Sequence, residues 1–154
     1  MADFRLRPAR ESDAPGIKAL IRAVHINPLG LDWRRFIVAE SQEMPILGCG
    51  QVKPHPGNLR ELASIAVWPE YRGRGIARKI IEDLLSSEEG PLYLMCASPV
   101  CPLYEKFDFH FMNMHEMPPY FRRMIRLTDL MRTLAPDAPR IMVLKRDATR
   151  EFRD

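Results

Sequence analysis

Cysteine is scarce in this chain of 154 residues. There are three, Cys49, Cys96 and Cys101. An odd, small count argues against a disulfide framework and suits free thiols in a reducing compartment. Long apolar runs are missing too. No stretch approaches the ~20 residues that a membrane helix needs. The opening MADFRLRPARESD is too charged for a signal peptide, and neither end shows a lipidation motif. The expectation is a cytoplasmic protein with no membrane contact. Metal-ligand spacing is also absent. Cys96 and Cys101 are not spaced as a zinc pair, and His25, His55, His110 and His115 are scattered. No metal site is expected. The formal net charge is small, +3. It is compatible with an anionic ligand. No recognised module or aromatic–basic interleaving points to nucleic acid.

What is present is the pattern of one α+β domain, residues 1–154, with a charged tail from about residue 147. A hydrophobic fraction of 46% is enough to build a core and argues against disorder. FRLR (residues 4–7) alternates as a half-buried strand does. Ser12 or Asp13 can cap the next helix, with Pro15 in its first turn and Ile17, Leu20, Ile21 and Val24 as its buried stripe. NPLG (residues 27–30) reads as a turn. Residues 35–41 and 46–54 read as a hairpin, with Gly48 and Gly50 marking a bulge. LRELASIAV (residues 59–67) is a central strand closed by Pro69. Ile76, Ala77, Ile80, Ile81, Leu84 and Leu85 share one face of the following helix. PLYLMCA (residues 91–97) is a buried strand, followed by a short helix through LYEKF. HFMNMHEM (residues 110–117) is strand-like, with Met112, Met114 and Met117 alternating as packing residues. A helix fits YFRRMIRLTDLMRTL, and RIMVLKR (residues 140–146) is the last strand. The order predicts a mixed α/β, or α+β, layer on one sheet.

The junction VWPEYRGRGIARK, residues 67–79, is the most informative stretch. A helix starting near Gly75 leaves its first backbone N–H groups without intrahelical partners, at the positive end of the helix dipole. Glycines at 73 and 75 permit unusual backbone angles and close approach of an anion. Arg72, Arg74, Arg78 and Lys79 add positive potential. This suits a phosphate or pyrophosphate. Read from these residues alone, a turn that simply needs glycine, with solvated arginines, fits as well. No GKS or GKT follows, and the spacing is not GxGxxG, which argues against a Walker loop and a dinucleotide fold.

ELASIAVWPEYRGRGIARKIIEDLL closely resembles the signature of the GNAT superfamily of acyl-CoA-dependent N-acetyltransferases. There an apolar strand leads into V-x-P-x-x-R/Q-x-x-G-x-G/A and an amphipathic helix. Arg72, Gly75 and Ala77 hold the R/Q, G and G/A positions. LYEKFDF (residues 103–109) resembles the family's FYEKLGF box. The resemblance spans about residues 4–146. It implies a central mixed, mostly antiparallel sheet of six to seven strands flanked by helices on both faces. It also implies acetyl-CoA (coenzyme A) as co-substrate. Amides from Gly73 through Ile76 to Ala77 would hold the pyrophosphate. Backbone groups of Ile65, Ala66 and Val67 would pair with the pantetheine arm, and the Val67 amide would polarise the thioester carbonyl. Arg74, Arg78 or Lys79 would meet the ribose phosphate.

The same resemblance implies two groups for proton chemistry. Glu61, on the central strand, stands where many members carry a general base, acting directly or through water. Read by itself it is a surface glutamate or one half of an ion pair. Tyr104 matches the tyrosine that serves the departing sulfur. A phenol of pKa about 10 against a thiol of about 8.5 makes a strong hydrogen bond as credible as complete proton transfer. Its other reading is a core aromatic. The chain departs from the family pattern at Asp108, where glycine is usual, and at Ala97, where many members carry asparagine. Aspartate tolerates a positive φ better than most residues.

The implied function is N-acetyl transfer to a small-molecule or peptide primary amine, by direct attack in a ternary complex. Residues about 25–35 and 112–140 are expected to shape the acceptor pocket. The arginines around Arg122 can serve as a basic lid or as a solvated helix face. The alternative function is a catalytically silent acyl-CoA-binding sensor or interaction module. Monomer and homodimer both remain open.

Overall fold

The computed structural model describes residues 3–149. Residues 150–154 of the expected charged tail lie outside the described residues. The strands are β1 (Arg5–Pro8), β2 (Phe36–Glu40), β3 (Gly48–His55), β4 (Leu59–Val67), β5 (Leu92–Ala97), β6 (His110–Phe111) and β7 (Ile141–Arg146). The α-helices are α1 (Ala14–Ala23), α2 (Ile76–Ser86), α3 (Cys101–Glu105) and α4 (Pro119–Leu134). The chain is therefore α+β, with seven strands, mostly antiparallel, at the upper end of the expected six to seven. It forms two compact units, Met1–Glu89 and Gly90–Asp154.

In the first unit, β1 to β4 run in sequence order, each antiparallel to the next. Period-2 alternation sends successive side chains to opposite faces. Phe36, Val38, Cys49 and Ala66 join Ile17, Leu20 and Ile21 of α1 in one apolar cluster. The other face carries α2, whose Ile76, Ile80, Ile81 and Leu84 are buried. Gly48 and Gly50 lie beneath it. A Cβ on Gly48 would come 3.0 Å from Ile76 Cγ2, and one on Gly50 2.8 Å from Ile80 Cγ2 and 2.5 Å from Ile65 Cδ1. These two glycines therefore exist to let the helix approach the strand. Gly50 also stands opposite a bulge, since the ladder shifts between Cys49 and Gln51, whereas Gly48 pairs regularly with Val67.

The bulge is on the neighbouring strand. Cys49 pairs with Ala66 but Gln51 pairs with Ala63, so β4 carries one extra residue there. Ser64 absorbs the kink with φ of 58°. A positive φ is uncommon for serine and needs support. Gln51 supplies it, donating from Nε2 to Ser64 Oγ at 2.9 Å.

Asp13 is the N-cap residue of α1, but its side chain makes no cap bond to that helix; it closes the capping box of the preceding 3-10 turn, Glu11–Asp13. Its carboxylate takes both Arg7 Nη1 (2.7 Å) and Nη2 (3.0 Å), and the Arg10 amide (2.7 Å). Arg7 Nε also bonds Glu40. The guanidinium thus ties β1 to β2 and to the start of α1, and holds the carboxyls of Asp13 and Glu40 below their ordinary range.

In the second unit, β7 lies between β5 and β6, antiparallel to both. Phe121 of α4 stacks on Tyr93 of β5 with centroids 5.0 Å apart. The strand expected over residues 110–117 stops at Phe111. Glu116 and Met117 both donate their amides to the Asn113 carbonyl, so the chain turns there. Met117 is buried from that turn and not from a strand. Among the described residues, no helix is long and apolar enough to cross a membrane.

Two outcomes are expected. Gly50→Ala should lower unfolding stability by about 1–3 kcal/mol, because the added methyl overpacks the interface with α2; urea denaturation measures it. Asp13→Asn should cost about 1–2 kcal/mol at pH 7. Because the folded pKa is depressed, that contribution is present above the unfolded pKa of about 3.9 and is lost as pH falls through the lower folded value. Melts of the two proteins should therefore converge as the pH falls progressively below the unfolded value.

Candidate active site

The bend predicted to bind an anion is built from a strand end, a short turn and a helix start. Pro69–Tyr71 forms a 3-10 turn after β4. Gly73 and Gly75 follow with φ of 75° and 79°. A Cβ at either would meet nothing within 4 Å, so backbone angle and not crowding requires glycine. The first bond of α2 runs from the Lys79 amide to the Gly75 carbonyl, at 3.0 Å. Among the described residues, the six amides from Gly73 to Arg78 donate to no backbone carbonyl. They sit at the positive end of the α2 dipole.

The basic side chains around this bend have internal partners. Arg72 Nε bonds the Val67 carbonyl at 3.3 Å, tying the turn to the strand end. Arg74 lies over the Tyr71 ring, 5.1 Å from its centroid. Arg78 pairs with Glu82 at 2.9 Å, one turn along α2. Ile65, Ala66 and Val67 occupy the strand between the bulge and this turn, with Ala66 and Val67 buried.

Glu61 is buried, 7% exposed, which removes the solvated-surface reading. Its Cα partner across the ladder is Lys53. Its Oε1 is 3.5 Å from His55 Nε2, and Oε2 has no hydrogen-bond partner among the described residues. Burial raises its pKa; His55 and Lys53 pull the other way. Lys53 is itself lowered by burial, and its Nζ bonds the Leu29 carbonyl at 2.8 Å. Gln51 Nε2 reaches the Gly30 carbonyl at 3.3 Å as well as Ser64. Gln51, Lys53, His55 and Glu61 thus form a polar strip on one face of β3 and β4, next to the carbonyls of residues 29 and 30. Sequence pattern points to Glu61 and not to the other three. Their signal was the alternation Gln51, Lys53, His55, readable only once the β3–β4 register is known.

Tyr104 lies in α3 and is 8% exposed. Its ring meets Phe109 edge-on, with centroids 6.2 Å apart. Burial, with Cys96 and Cys101 nearby, raises its pKa, so the phenol stays protonated through the neutral range. It can donate a hydrogen bond there but cannot act as a base. Asp108 adopts φ of 67°, the left-handed conformation for which the family box uses glycine. The three cysteines are free and buried. Burial pushes the Cys49 thiol up to about 12, far from the thiolate a nucleophile needs.

The arginines of α4 do not form one patch. Arg122 bonds the carbonyls of Met114 and Met117, and Arg132 that of Ala138. Both hold the helix ends. Arg123 and Arg126 are exposed.

Comparison with known proteins identifies the class. Residues 32–111 match the family described as Acetyltransferase (GNAT) domain, and the chain belongs to it. No curated protein sequence matches. Among solved structures, the chain is similar to N-acetylglutamate synthase from Neisseria gonorrhoeae complexed with coenzyme A and N-acetyl-glutamate, at 19% identity and a TM-score of 0.73. The match covers 97% of this chain but 36% of that one, so the chain spans about a third of that enzyme's length. A Mycobacterium tuberculosis protein solved in complex with CoA matches at 22% identity and TM-score 0.71, over 94% of this chain and 99% of its own. A GNAT-family acetyltransferase from Staphylococcus aureus matches at 13% and 0.67, over 96% and 100%. At these identities the likeness shows the fold, which is the GNAT fold.

Proposed function

We propose that this chain transfers the acetyl group of acetyl-CoA to a primary amine, by direct attack in a ternary complex. One observation carries the reading: six consecutive amides, Gly73 to Arg78, gathered at the start of α2 around two positive-φ glycines with open space where a Cβ would stand. That is a fit for a diphosphate, because oriented N–H groups and a helix dipole stabilise negative charge without a dedicated side chain.

Acetyl-CoA brings an activated thioester; the chain's own residues supply the rest. Gly73, Arg74, Gly75, Ile76, Ala77 and Arg78 hold the phosphates. Ile65 to Val67 hold the pantetheine, with the Val67 amide aimed at the carbonyl. Arg72 acts indirectly, by fixing the turn to the strand through Val67. Glu61 accepts the proton of the incoming ammonium, whose reference pKa is about 10.4 for a lysine side chain and about 8 for an α-amine. Its burial favours this, since a raised pKa makes it a stronger base than a surface carboxylate. Tyr104, kept protonated, donates a hydrogen bond to the departing sulfur.

The test is thiol release from acetyl-CoA across a panel of free amino acids, polyamines, aminoglycosides and peptides. Release with at least one amine is the expected result. Binding without turnover across the panel returns the chain to the second reading, an acyl-CoA-binding module. Gly75→Glu should abolish CoA binding in isothermal titration, through strain, bulk and charge, while circular dichroism stays unchanged. Wild-type protein that shows no heat with millimolar CoA would sink both readings. In kinetics, Tyr104→Phe should lower kcat by on the order of 10²-fold with little change in cofactor affinity. Glu61 must be ionised to act, so the wild-type rate should fall as pH drops through a pKa above the usual ~4.3. Glu61→Gln should remove that limb and move the profile to higher pH, where the amine deprotonates by itself; an unchanged profile excludes Glu61 as the base.

A further inference from the structure

A buried carboxylate with nothing to hold its charge keeps its proton, and a protonated carboxyl is no base. What Glu61 faces therefore decides whether it can work. On β3, Lys53 stands directly across the ladder from it, and His55, opposite Leu59, stands diagonally across. Diagonal neighbours on one face of an antiparallel pair are within reach of long side chains. His55 uses that reach. Its Nε2 is 3.5 Å from Glu61 Oε1, and both side chains are largely buried. Lys53 is committed elsewhere, since its Nζ bonds the Leu29 carbonyl.

The other surroundings are neutral. Helix α1, on this face of the sheet, buries Ile17, Leu20 and Ile21 and leaves Lys18 and Arg22 exposed. Residues 26–31, INPLGL, have no ionisable side chain. Arg35 acts on Lys53 and not on the carboxylate. The hairpin fixes where His55 stands. It is the last residue of β3, and the chain returns within three residues to Leu59, its own partner. Gly57 and Asn58 take φ of 80° and 58° there, as a tight turn demands.

Given the acetyltransferase reading, with Glu61 as its base, we propose that His55 is the positioning residue for Glu61: it holds Oε1, so that Oε2 takes the proton of the acceptor ammonium, directly or through water, and its charge offsets the burial of the carboxylate. Oε2 suits the part, having no hydrogen-bond partner among the described residues. In the step an N–H bond of the ammonium breaks and an O–H bond forms at Oε2. The nitrogen keeps the electron pair with which it attacks the thioester. A base oriented by a third group is a recurring arrangement in proton transfer. Burial raises the proton affinity of Glu61 and a protonated His55 lowers it, with the net displacement upward. The pair thus holds a carboxylate that is more basic than a surface glutamate and still ionised when the ammonium arrives.

His55→Gln tests this, since it keeps the size and a side-chain N–H but carries no charge. The Glu61 carboxyl carbon, followed by NMR in the full chain labelled with 13C-glutamate, should titrate about one unit higher than in wild type. Glu61 must be ionised to act, so the acid limb of kcat/KM for the acceptor should move up with it. Below both pKa values the rate should fall about ten-fold; well above them it should stay within about three-fold of wild type. His55→Lys, which restores the charge without the ring, should return the limb toward the wild-type position. A merely structural role would lower the rate at every pH, and the lysine would not repair it. A Glu61 carboxyl that titrates alike in wild type and His55→Gln overturns the proposal and leaves the acetyltransferase reading standing. A profile unchanged by Glu61→Gln removes Glu61 as the base, and His55 with it. Absence of turnover with every amine overturns both.

Discussion

The close packing of α2 against β3 is the constraint on which the candidate site rests. Gly48 and Gly50 put no side chain between the helix and the strand, and Ile76 and Ile80 take the space. The helix is thereby fixed in height above the sheet, and so is its N-terminus. The amides from Gly73 to Arg78 are presented at the end of β4 because of that packing. A larger residue at position 48 or 50 would lift the helix and carry those amides with it.

The bulge in β4 is the second element of the same design. One extra residue, accommodated at Ser64 with a positive φ, separates two halves of the strand. Residues 65 to 67 lie on the side of the Gly73–Gly75 bend, and Glu61 lies on the other side among Gln51, Lys53 and His55. The glutamine that steadies the bulge through Ser64 also reaches the Gly30 carbonyl. A buried polar strip of this kind is costly unless its members satisfy one another. Here the satisfaction is incomplete, since Glu61 Oε2 and Gln51 Oε1 lack partners among the described residues. Burial of the Glu61 carboxylate is what keeps its proton affinity above that of a surface glutamate. Tyr104 shows the complementary effect, since burial makes the phenol hold its proton.

Much of this was legible before any coordinates. Strong period-3.6 and period-2 patterns gave α1, α2, β3, β4 and β5 nearly to the residue, because each buries a continuous face. Asp108 was recognisable as a left-handed position because a short polar side chain stood where glycine belongs. Illegible parts share one cause: they depend on what another segment does. Asp13 looked like a cap and stands at the N-cap of α1, but its carboxylate serves Arg10 and Arg7, not the amides of α1. Met112 to Met117 alternate like a strand, but β7 offers β6 only two paired residues before the chain turns. The four arginines of α4 looked alike in sequence, yet two are spent on nearby carbonyls and two face solvent.

By itself the sequence determined the family, the element order and the glycine bend before α2, because those follow from local chemistry: glycines that must take positive φ, a helix start that must leave amides unpaired, and an apolar period that must find a core. Only the tertiary structure decided that Gly48 and Gly50 are spaces for a helix and that Glu61 is buried beside His55 and Lys53. These depend on strand register and helix height, which bring together residues far apart in the chain, and no local pattern encodes a distance between them.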